Sequence, residues 1–203
     1  MYTCRSANTW KNDLALTVTY LPRRNLTHAI VFGCTAAIEK EFLNRLGYFK
    51  ERGFHPLLLP GIFFELERDR MAKVVESTIN RLEETIYELD TGVSDYGVSD
   101  DDHPAGPRHV RRTVWLNVTF LLNRLRILRT QILKMIEHGD ELLESGLLED
   151  VEEEDQVRHH TGRLIRERLR DIIEELDEMI HDCSMRVDGM TIATQWVSYL
   201  FVC

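Results

Sequence analysis

The sequence predicts a mainly α-helical protein. We expect an elongated antiparallel helical bundle with a long C-terminal stalk-like helix and a small N-terminal α/β portion. Two patterns support this expectation: apolar side chains recur every three or four residues through three long segments, and only two short N-terminal segments alternate as strands do. With 203 residues and 43% hydrophobic residues, the chain has enough apolar material for one domain or slightly more.

The small portion is predicted to span residues 1–56, and the helical bundle residues 57–203. Residues 14–21 alternate apolar and β-prone types, and residues 28–32 form a second short apolar run. Two strands are not stable by themselves. We therefore expect the following helix, residues 36–52, to cover them with one apolar stripe. The stripe consists of Ile38, Phe42, Leu46 and Phe49.

Three long helices are predicted within the bundle. The first begins near Pro60, because proline suits the first turn of a helix, and it runs to about residue 89. The second begins near Pro107 and has apolar residues spaced by four and three alternately, as in a heptad seam. That seam comprises Val114, Val118, Leu121, Leu125, Leu128, Ile132 and Met135.

The last helix, predicted over residues 156–200, has the longest apolar stripe of the chain. Its other faces are crowded with charged residues, so the stripe must be buried against other helices or against a second copy. The stripe comprises Ile165, Leu169, Ile172, Leu176, Met179, Cys183, Val187, Met190, Thr194 and Val197. Before it, residues 92–108 contain three glycines, two prolines and several acids, and we expect a disordered surface loop there.

Charge and cysteine content exclude several classes of function. A net charge of −9 disfavours nucleic-acid binding, which needs a basic field. The four cysteines are scattered without a C-x-x-C pair, and residues 1–13 lack the apolar run of a secretory signal. We therefore expect a cytoplasmic protein with reduced thiols. The basic residues of the helix from Pro107 are expected to face the acidic half of the last helix.

No catalytic motif is present, and the possible metal ligands lack the spacing of known sites. Residues 100–103 read Asp-Asp-Asp-His but do not follow the calcium-loop pattern. His159 and His160 point to different faces of a helix. Residues 174–178 are rich in carboxylates but lack the Glu-x-x-His motif of di-metal bundles. The sequence therefore predicts no enzyme, no metal site and no cofactor.

Residues 185–196, MRVDGMTIATQW, resemble the segment just before the membrane in fungal proteins related to the CorA-type magnesium channels. Residues 55–60, HPLLLP, and 65–70, ELERDR, resemble their earlier cytosolic part. The resemblance implies a small α/β portion, an antiparallel helical hairpin and a stalk helix leading into two membrane spans. It extends from about residue 28 and is specific in the last helix.

The chain departs from this family in the parts that conduct ions. Gly189-Met190 is followed by Thr191 and lies on the stalk, so it is not the Gly-Met-Asn signature of the channels. Neither span is present in the sequence. We therefore expect a truncated form of a protein whose native chain continues into the two spans. The resemblance then implies the cytosolic, stalk-bearing part of a CorA-like membrane protein, with a role in assembly or regulation and not in conduction. The alternative is a free-standing soluble helical interaction module.

The distal end of the last helix is the predicted interaction site. Without membrane spans it has fewer neighbours, so its apolar residues are expected to form an exposed patch. The residues assigned to this site are Val187, Met190, Val197, Leu200 and Phe201, with Ile192 beside them. We expect self-association or binding of another helical protein there, together with peripheral membrane contact. A native chain continuing into two spans would place the protein at a membrane.

Overall fold

The computed structural model describes residues 1–21, 24, 26–49, 55–90, 107–144 and 152–200, without the side chains of 88–90, 107–112, 143–144, 152–155, 158 and 193–200. Three strands are followed by four helices. These elements are β1 (Tyr2–Arg5), β2 (Ala15–Leu21), β3 (Leu26–Phe32), α1 (Ala36–Gly47), α2 (Leu58–Asp90), α3 (Pro107–Glu144) and α4 (Glu152–Leu200). The predicted mainly helical fold with a small N-terminal sheet and a long C-terminal helix is confirmed.

The sheet has the order β1-β2-β3, and both pairs of neighbours are antiparallel. β1 was not predicted, because four residues are too few to show an alternating pattern. On the central strand Leu16 and Val18 are completely buried, and Cys4 of β1 lies opposite Leu16 on the same face. No residue of β3 is buried. The buried part of the sheet is therefore confined to its β1–β2 side.

α1 begins after Thr35, whose hydroxyl oxygen accepts a hydrogen bond from the Ile38 N–H at 3.4 Å. This is the usual role of an N-cap threonine. The helix ends at Gly47, earlier than the predicted residue 52, and residues 50–54 lie outside the description. None of its residues is buried. The stripe that was predicted to cover the sheet is thus at most half-buried.

Two compact units divide the chain. Unit 1 comprises Met1–Arg70 with Leu128–Leu176, and unit 2 comprises Met71–Ile127 with Asp177–Cys203. Each of the three long helices contributes to both units, so the division differs from the predicted one at residue 56. The predicted loop 92–108 lies outside the described residues, except for the first two residues of α3.

Unit 1 has a core built from the sheet and from parts of α2, α3 and α4. Its buried apolar residues are Cys4, Leu14, Leu16, Val18, Leu57, Leu58, Ile62, Phe63, Phe64, Leu128, Ile132, Ile136, Ile165, Leu169, Ile172, Ile173 and Leu176. The predicted α4 stripe is buried here at every position from Ile165 to Leu176. The α3 seam continues at Ile136, whereas the predicted Met135 is half-buried.

Unit 2 has a purely helical core. Its buried apolar residues are Met71, Val75, Ile79, Leu82, Val114, Val118, Leu121, Leu122, Leu125, Cys183 and Met190. The α3 seam is therefore confirmed from Val114 to Leu125, and the α4 stripe is buried at Cys183 and Met190. Met179 and Val187 of the same stripe are half-buried. The periodicity of three and four residues correctly identified the inward faces of α3 and α4.

Candidate functional site

A ring of six charged side chains joins α1, α2 and α4 within unit 1. We call it the ion-pair ring, and its members are Arg45, Glu65, Arg168, Glu175, Arg68 and Asp69. Going round in that order, the N–O distances are 3.1, 3.3, 3.7, 2.8, 3.4 and, back to Arg45, 2.6 Å. Each arginine therefore lies between two carboxylates, and the charges of the ring balance.

The ion-pair ring is the main polar attachment of α1, a helix without buried residues. Arg45 reaches Glu65 and Asp69 on α2 and also bonds Glu41 of its own helix at 3.0 Å. Burial alone lowers the pKa of Arg45, but the hydrogen bonds of Asp69 and Glu41 and the charge of Glu65 outweigh it, so the pKa is raised. These contacts hold α1 in place, and the charges are already satisfied by one another.

Glu67 and Arg70 form a second, more deeply buried pair on α2. Glu67 is only 2% exposed, and both of its oxygens accept hydrogen bonds from Arg70, at 2.7 and 2.8 Å. Arg70 also donates to the carbonyl oxygen of Ala7 at 3.1 Å. The charged segment 67–70 interrupts the apolar pattern of α2. It is ion-paired, and its role is to fix the chain after β1 to α2.

Tyr2, His138 and Glu141 form a hydrogen-bonded series in unit 1. The Tyr2 hydroxyl lies 3.1 Å from His138 Nε2, and His138 Nδ1 lies 3.2 Å from Glu141. Burial raises the pKa of Tyr2. Glu141 is largely exposed, and a groove in unit 1 is lined by residues outside this series. The series connects β1 to α3.

That groove lies where α2 and α4 approach the end of α1. Most of its lining is apolar, with Glu65 and Arg168 of the ion-pair ring at its polar side. The lining residues are Phe49, Leu58, Gly61, Ile62, Glu65, Leu164, Ile165, Arg168 and Leu169. Glu65 and Arg168 bind each other, so their charges are neutralised and the groove presents mainly a shallow apolar surface.

The predicted interaction site on distal α4 is only partly exposed. Met190 is 2% exposed and belongs to the core of unit 2, so its predicted exposure is wrong. Val187 is half-buried, and the side chains of Val197 and Leu200 and the whole of Phe201 lie outside the described residues. Ile192, by contrast, is 55% exposed. The outward apolar surface here is formed by Ile192 together with Met185, which was not assigned to the site.

α3 carries a second apolar surface that the sequence reasoning missed. Leu116, Phe120 and Ile127 are 47%, 38% and 39% exposed and follow one another at steps of four and seven residues. They lie opposite the buried seam on the helix, and the Arg124 guanidinium covers the Phe120 ring at 4.8 Å. We call these three residues the outer α3 stripe. Its spacing is visible in the sequence, but the seam is the longer and more regular apolar pattern of the helix.

The residues once considered as metal ligands show no common site in the described part of the chain. No group of three His, Cys, Asp or Glu side chains there is placed to hold a metal ion. His159 and His160 are exposed, and His160 contacts Arg163 at 3.1 Å. Glu175 belongs to the ion-pair ring, and residues 100–103 lie outside the description. Among the described residues, no helix is both long enough and apolar enough to cross a membrane.

Comparisons with known proteins complete these observations. Neither a protein-family model, nor a curated protein sequence, nor a solved structure matches the chain. The resemblance to CorA-related proteins therefore depends on the quoted residues alone.

Proposed function

We propose that the protein is a non-catalytic helical interaction module that assembles through exposed apolar surfaces of unit 2. In its specific form, the proposal makes the chain the cytosolic, stalk-bearing part of a CorA-like membrane protein, with an assembly or regulatory role and no conduction. The resemblance of residues 185–196 supports that form. A free-standing interaction module in the cytoplasm is the alternative, and it uses the same surfaces.

The outer α3 stripe is the observation that carries the proposal. A helix that packs in a single layer needs one apolar face, and α3 has that face in its seam from Val114 to Leu125. Leu116, Phe120 and Ile127 add apolar area on the opposite side, where it does not contribute to the core. Solvent-exposed apolar surface of this kind marks interfaces. The outer α3 stripe therefore has the composition of a contact surface for another helix.

Distal α4 supports the same conclusion. Met185 and Ile192 are more than half exposed, whereas Cys183 and Met190 of the same helix are buried. The ion pair between Arg186 and Glu83, at 2.8 Å, links α4 to α2 on one side of the helix. α4 is thus packed through one face and presents apolar side chains on another. A second helix, from another copy or another protein, would bury the exposed apolar side chains of distal α4.

Sedimentation equilibrium of the full chain tests this proposal. Leu116→Glu with Ile127→Glu places two charges on the outer α3 stripe, and Asn80→Glu with Asn117→Glu adds the same charge at exposed polar positions of unit 2. We expect the natural chain and the control to associate at about 50 μM and the stripe variant to stay monomeric, because an unpaired charge in an apolar contact is costly. Monomers in all three samples would overturn self-assembly.

Two further measurements distinguish the CorA-like form of the proposal from the free-standing interaction module. Flotation with zwitterionic liposomes, repeated with Met185→Glu and Ile192→Glu, measures peripheral membrane contact by distal α4. Surface variants are preferable to a chain ending at Asp182, since such a chain would lose the buried Cys183 and Met190. Sequencing the mature messenger shows whether two apolar segments follow. A messenger without them overturns the CorA-like form and leaves the interaction module.

A further inference from the structure

β3 is an uncharged and unprotected strand at one edge of the sheet. Its sequence, LTHAIVF, contains no Asp, Glu, Lys, Arg, Pro or Gly. Leu26, Ile30 and Phe32 are 41%, 58% and 58% exposed, and among the described strands β3 pairs with β2 alone. Natural proteins usually protect such edges with charges, prolines or bulges. β3 contains no charge and no proline, and no described strand pairs with its outer edge, so this edge can accept a further strand.

The register of the sheet shows which backbone groups face outward. The Ser6 N–H donates to the Leu14 carbonyl oxygen at 2.9 Å, so these opposite residues form a hydrogen-bonded pair. Bonded pairs alternate along antiparallel strands, so Leu16 and Val18 bond to β1 and their neighbours on β2 bond to β3. Thr17 is opposite Ile30. The even-numbered residues of β3 therefore bond to β2, and the odd-numbered ones point their backbone groups away from the sheet.

We propose that β3 pairs with β3 of a second copy of this chain, antiparallel and about a two-fold axis at Ala29. In this register Ala29 faces the second copy's Ala29, and Thr27 faces its Val31. All three are residues whose N–H and C=O groups point outward, so every facing pair exchanges two hydrogen bonds. The two three-stranded sheets become one continuous sheet. This interface lies in unit 1 and is independent of the proposed contacts of unit 2.

The identity of the second strand follows from charge and length. β3 has no charge with which to select a charged partner, but two copies of it meet without like-charge repulsion at the contact. A shift of the register toward the C-terminal end would use Gly33, whose φ of 76° turns the chain out of the strand. The other sheet edge, β1, is only four residues long and contains Arg5. β1 is therefore a less suitable partner for β3 than the β3 strand of a second copy is.

The exposed side chains agree with this register. Leu26, His28, Ile30 and Phe32 share one face of β3, because side chains alternate along a strand. In the dimer each Leu26 lies opposite the second copy's Phe32, and each His28 opposite its Ile30. Apolar and aromatic cross-strand pairs of this kind stabilise sheets. The outer face of each sheet thus becomes part of a wider apolar surface that crosses the two-fold axis.

Ala29→Pro tests the backbone contact in the full chain. Ala29 does not donate to β2, so proline removes an outward N–H and leaves the existing ladder intact. We expect a dimer by sedimentation equilibrium at protein concentrations up to about 1 mM, since one strand edge makes a small, weak interface. Two hydrogen bonds are lost on the axis, so Ala29→Pro raises the dissociation constant about tenfold or more. The control Ala29→Ser keeps the N–H and the dimer.

Cysteine crosslinking tests the register without weakening the strand. In a background with Cys34→Ser and Cys203→Ser, Ala29→Cys brings two thiols together across the axis, at the Cα separation of about 5.5 Å that suits a disulfide. Diamide removes the two thiol hydrogens and accepts them. We expect an Ala29→Cys dimer, and no dimer with Thr27→Cys, whose thiol faces Val31. If Ala29→Pro does not fold, this experiment decides alone.

Three results would overturn the proposal: a monomer at all concentrations, equal crosslinking at residues 27 and 29, or growth beyond dimers through β3. The last result would indicate pairing of β3 with β1. The salt dependence of binding distinguishes a second copy of the chain from a partner of opposite charge. Two chains of net charge −9 repel each other, so the β3 dimer becomes tighter from 20 to 200 mM NaCl. The outer α3 stripe variant, which is expected to be monomeric at about 50 μM, is the background for these β3 measurements at up to about 1 mM, so either interface can fail while the other stands.

Discussion

The two parts of α4 differ in how completely their apolar residues are buried. Up to Leu176, in unit 1, the stripe is buried and Arg168 and Glu175 belong to the ion-pair ring. From Asp177, in unit 2, buried residues such as Cys183 alternate with strongly exposed apolar ones such as Ile192. The same helical periodicity therefore specifies a structural element in one unit and leaves unused apolar surface in the other.

This difference indicates where function is to be sought. In unit 1, Arg166, Arg168 and Glu175 of α4 are paired with charges of other helices, so these three charges are neutralised within the molecule. In unit 2 the helices keep apolar side chains in contact with solvent, at a free-energy cost that a partner would remove. Four comparisons between the units sharpen or break this interpretation.

Replacing a buried isoleucine by alanine is expected to have the largest effect on the free energy of unfolding. Ile172 is completely buried in unit 1, so Ile172→Ala should lower the free energy of unfolding by about 3–4 kcal/mol through lost burial and a cavity. Ile192 is 55% exposed in unit 2, and Ile192→Ala should change it by less than about 0.5 kcal/mol. Urea denaturation measures both. Equal losses would show that distal α4 is as tightly packed as the proximal part.

Removal of a carboxylate charge comes next. Glu67→Gln in unit 1 leaves Arg70 without its bidentate partner in a buried position and should cost about 2–3 kcal/mol. Glu83→Gln in unit 2 removes the exposed partner of Arg186 and should cost about 0–1 kcal/mol. The difference should persist at 0.5 M NaCl, because a buried pair is poorly screened. Similar costs for both variants contradict the burial of Glu67.

The two buried thiols should reduce stability at alkaline pH. Burial raises the pKa of both Cys4 in unit 1 and Cys183 in unit 2 to about 11, and Asp182 adds to the effect at Cys183. Above pH 9 the unfolded chain loses these protons while the folded chain keeps them. Stability therefore falls between about pH 9 and 11, on the order of 1 kcal/mol for each thiol by pH 10.

Cys4→Ala and Cys183→Ala each remove one contribution to this fall. Urea denaturation at pH 8 and pH 10 should show a smaller loss for each variant than for the natural chain. Cys34 is exposed, so Cys34→Ala is the matched control and should leave the pH dependence unchanged. An unchanged fall in both buried-site variants would contradict the prediction.

Two glycines of α4 should give the smallest changes, with opposite signs. A Cβ at Gly189 meets nothing within 4 Å, so Gly189→Ala should stabilise the protein by about 0.5–1 kcal/mol through helix propensity. A Cβ at Gly162 would lie 2.8 Å from Nε2 of the buried His55, so Gly162→Ala should destabilise. Thermal unfolding of both variants, beside the natural chain, measures the sign. A destabilising Gly189→Ala would reveal a neighbour on distal α4.

Much of the fold was predictable because apolar residues repeat along the sequence with the period of a helix or a strand. The seam of α3, the stripe of α4 and the strands β2 and β3 each repeat often enough to be recognised from residue types. β1 was missed because its four residues carry no usable period. The outer α3 stripe was present in the sequence as the spacing of Leu116, Phe120 and Ile127. The longer and more regular seam predicts the buried face, but the pattern does not show how far the shorter outer α3 stripe is exposed.

Charged contacts were harder to predict than apolar ones. The expected pairing of basic α3 with acidic α4 rested on blocks of charge, whereas the ion-pair ring joins α4 to α2 and α1. In unit 1, Arg166 of α4 pairs with Asp140 of α3, which reverses the expected signs. Blocks of charge are visible in a sequence, but a salt bridge needs two side chains within about 4 Å, and that distance depends on how the helices pack.

By itself, the sequence determined the helical class, the inward stripes and the uncharged character of β3, because each follows from local residue types and their period. Tertiary structure alone decided that Met190 is buried while Ile192 is exposed, that α1 is held by charges and contains no buried residue, and that β3 pairs with β2 alone among the described strands. The physical reason is that burial is a property of neighbours. A residue's own chemistry sets what burial is worth, but only the packed chain supplies the atoms that exclude water.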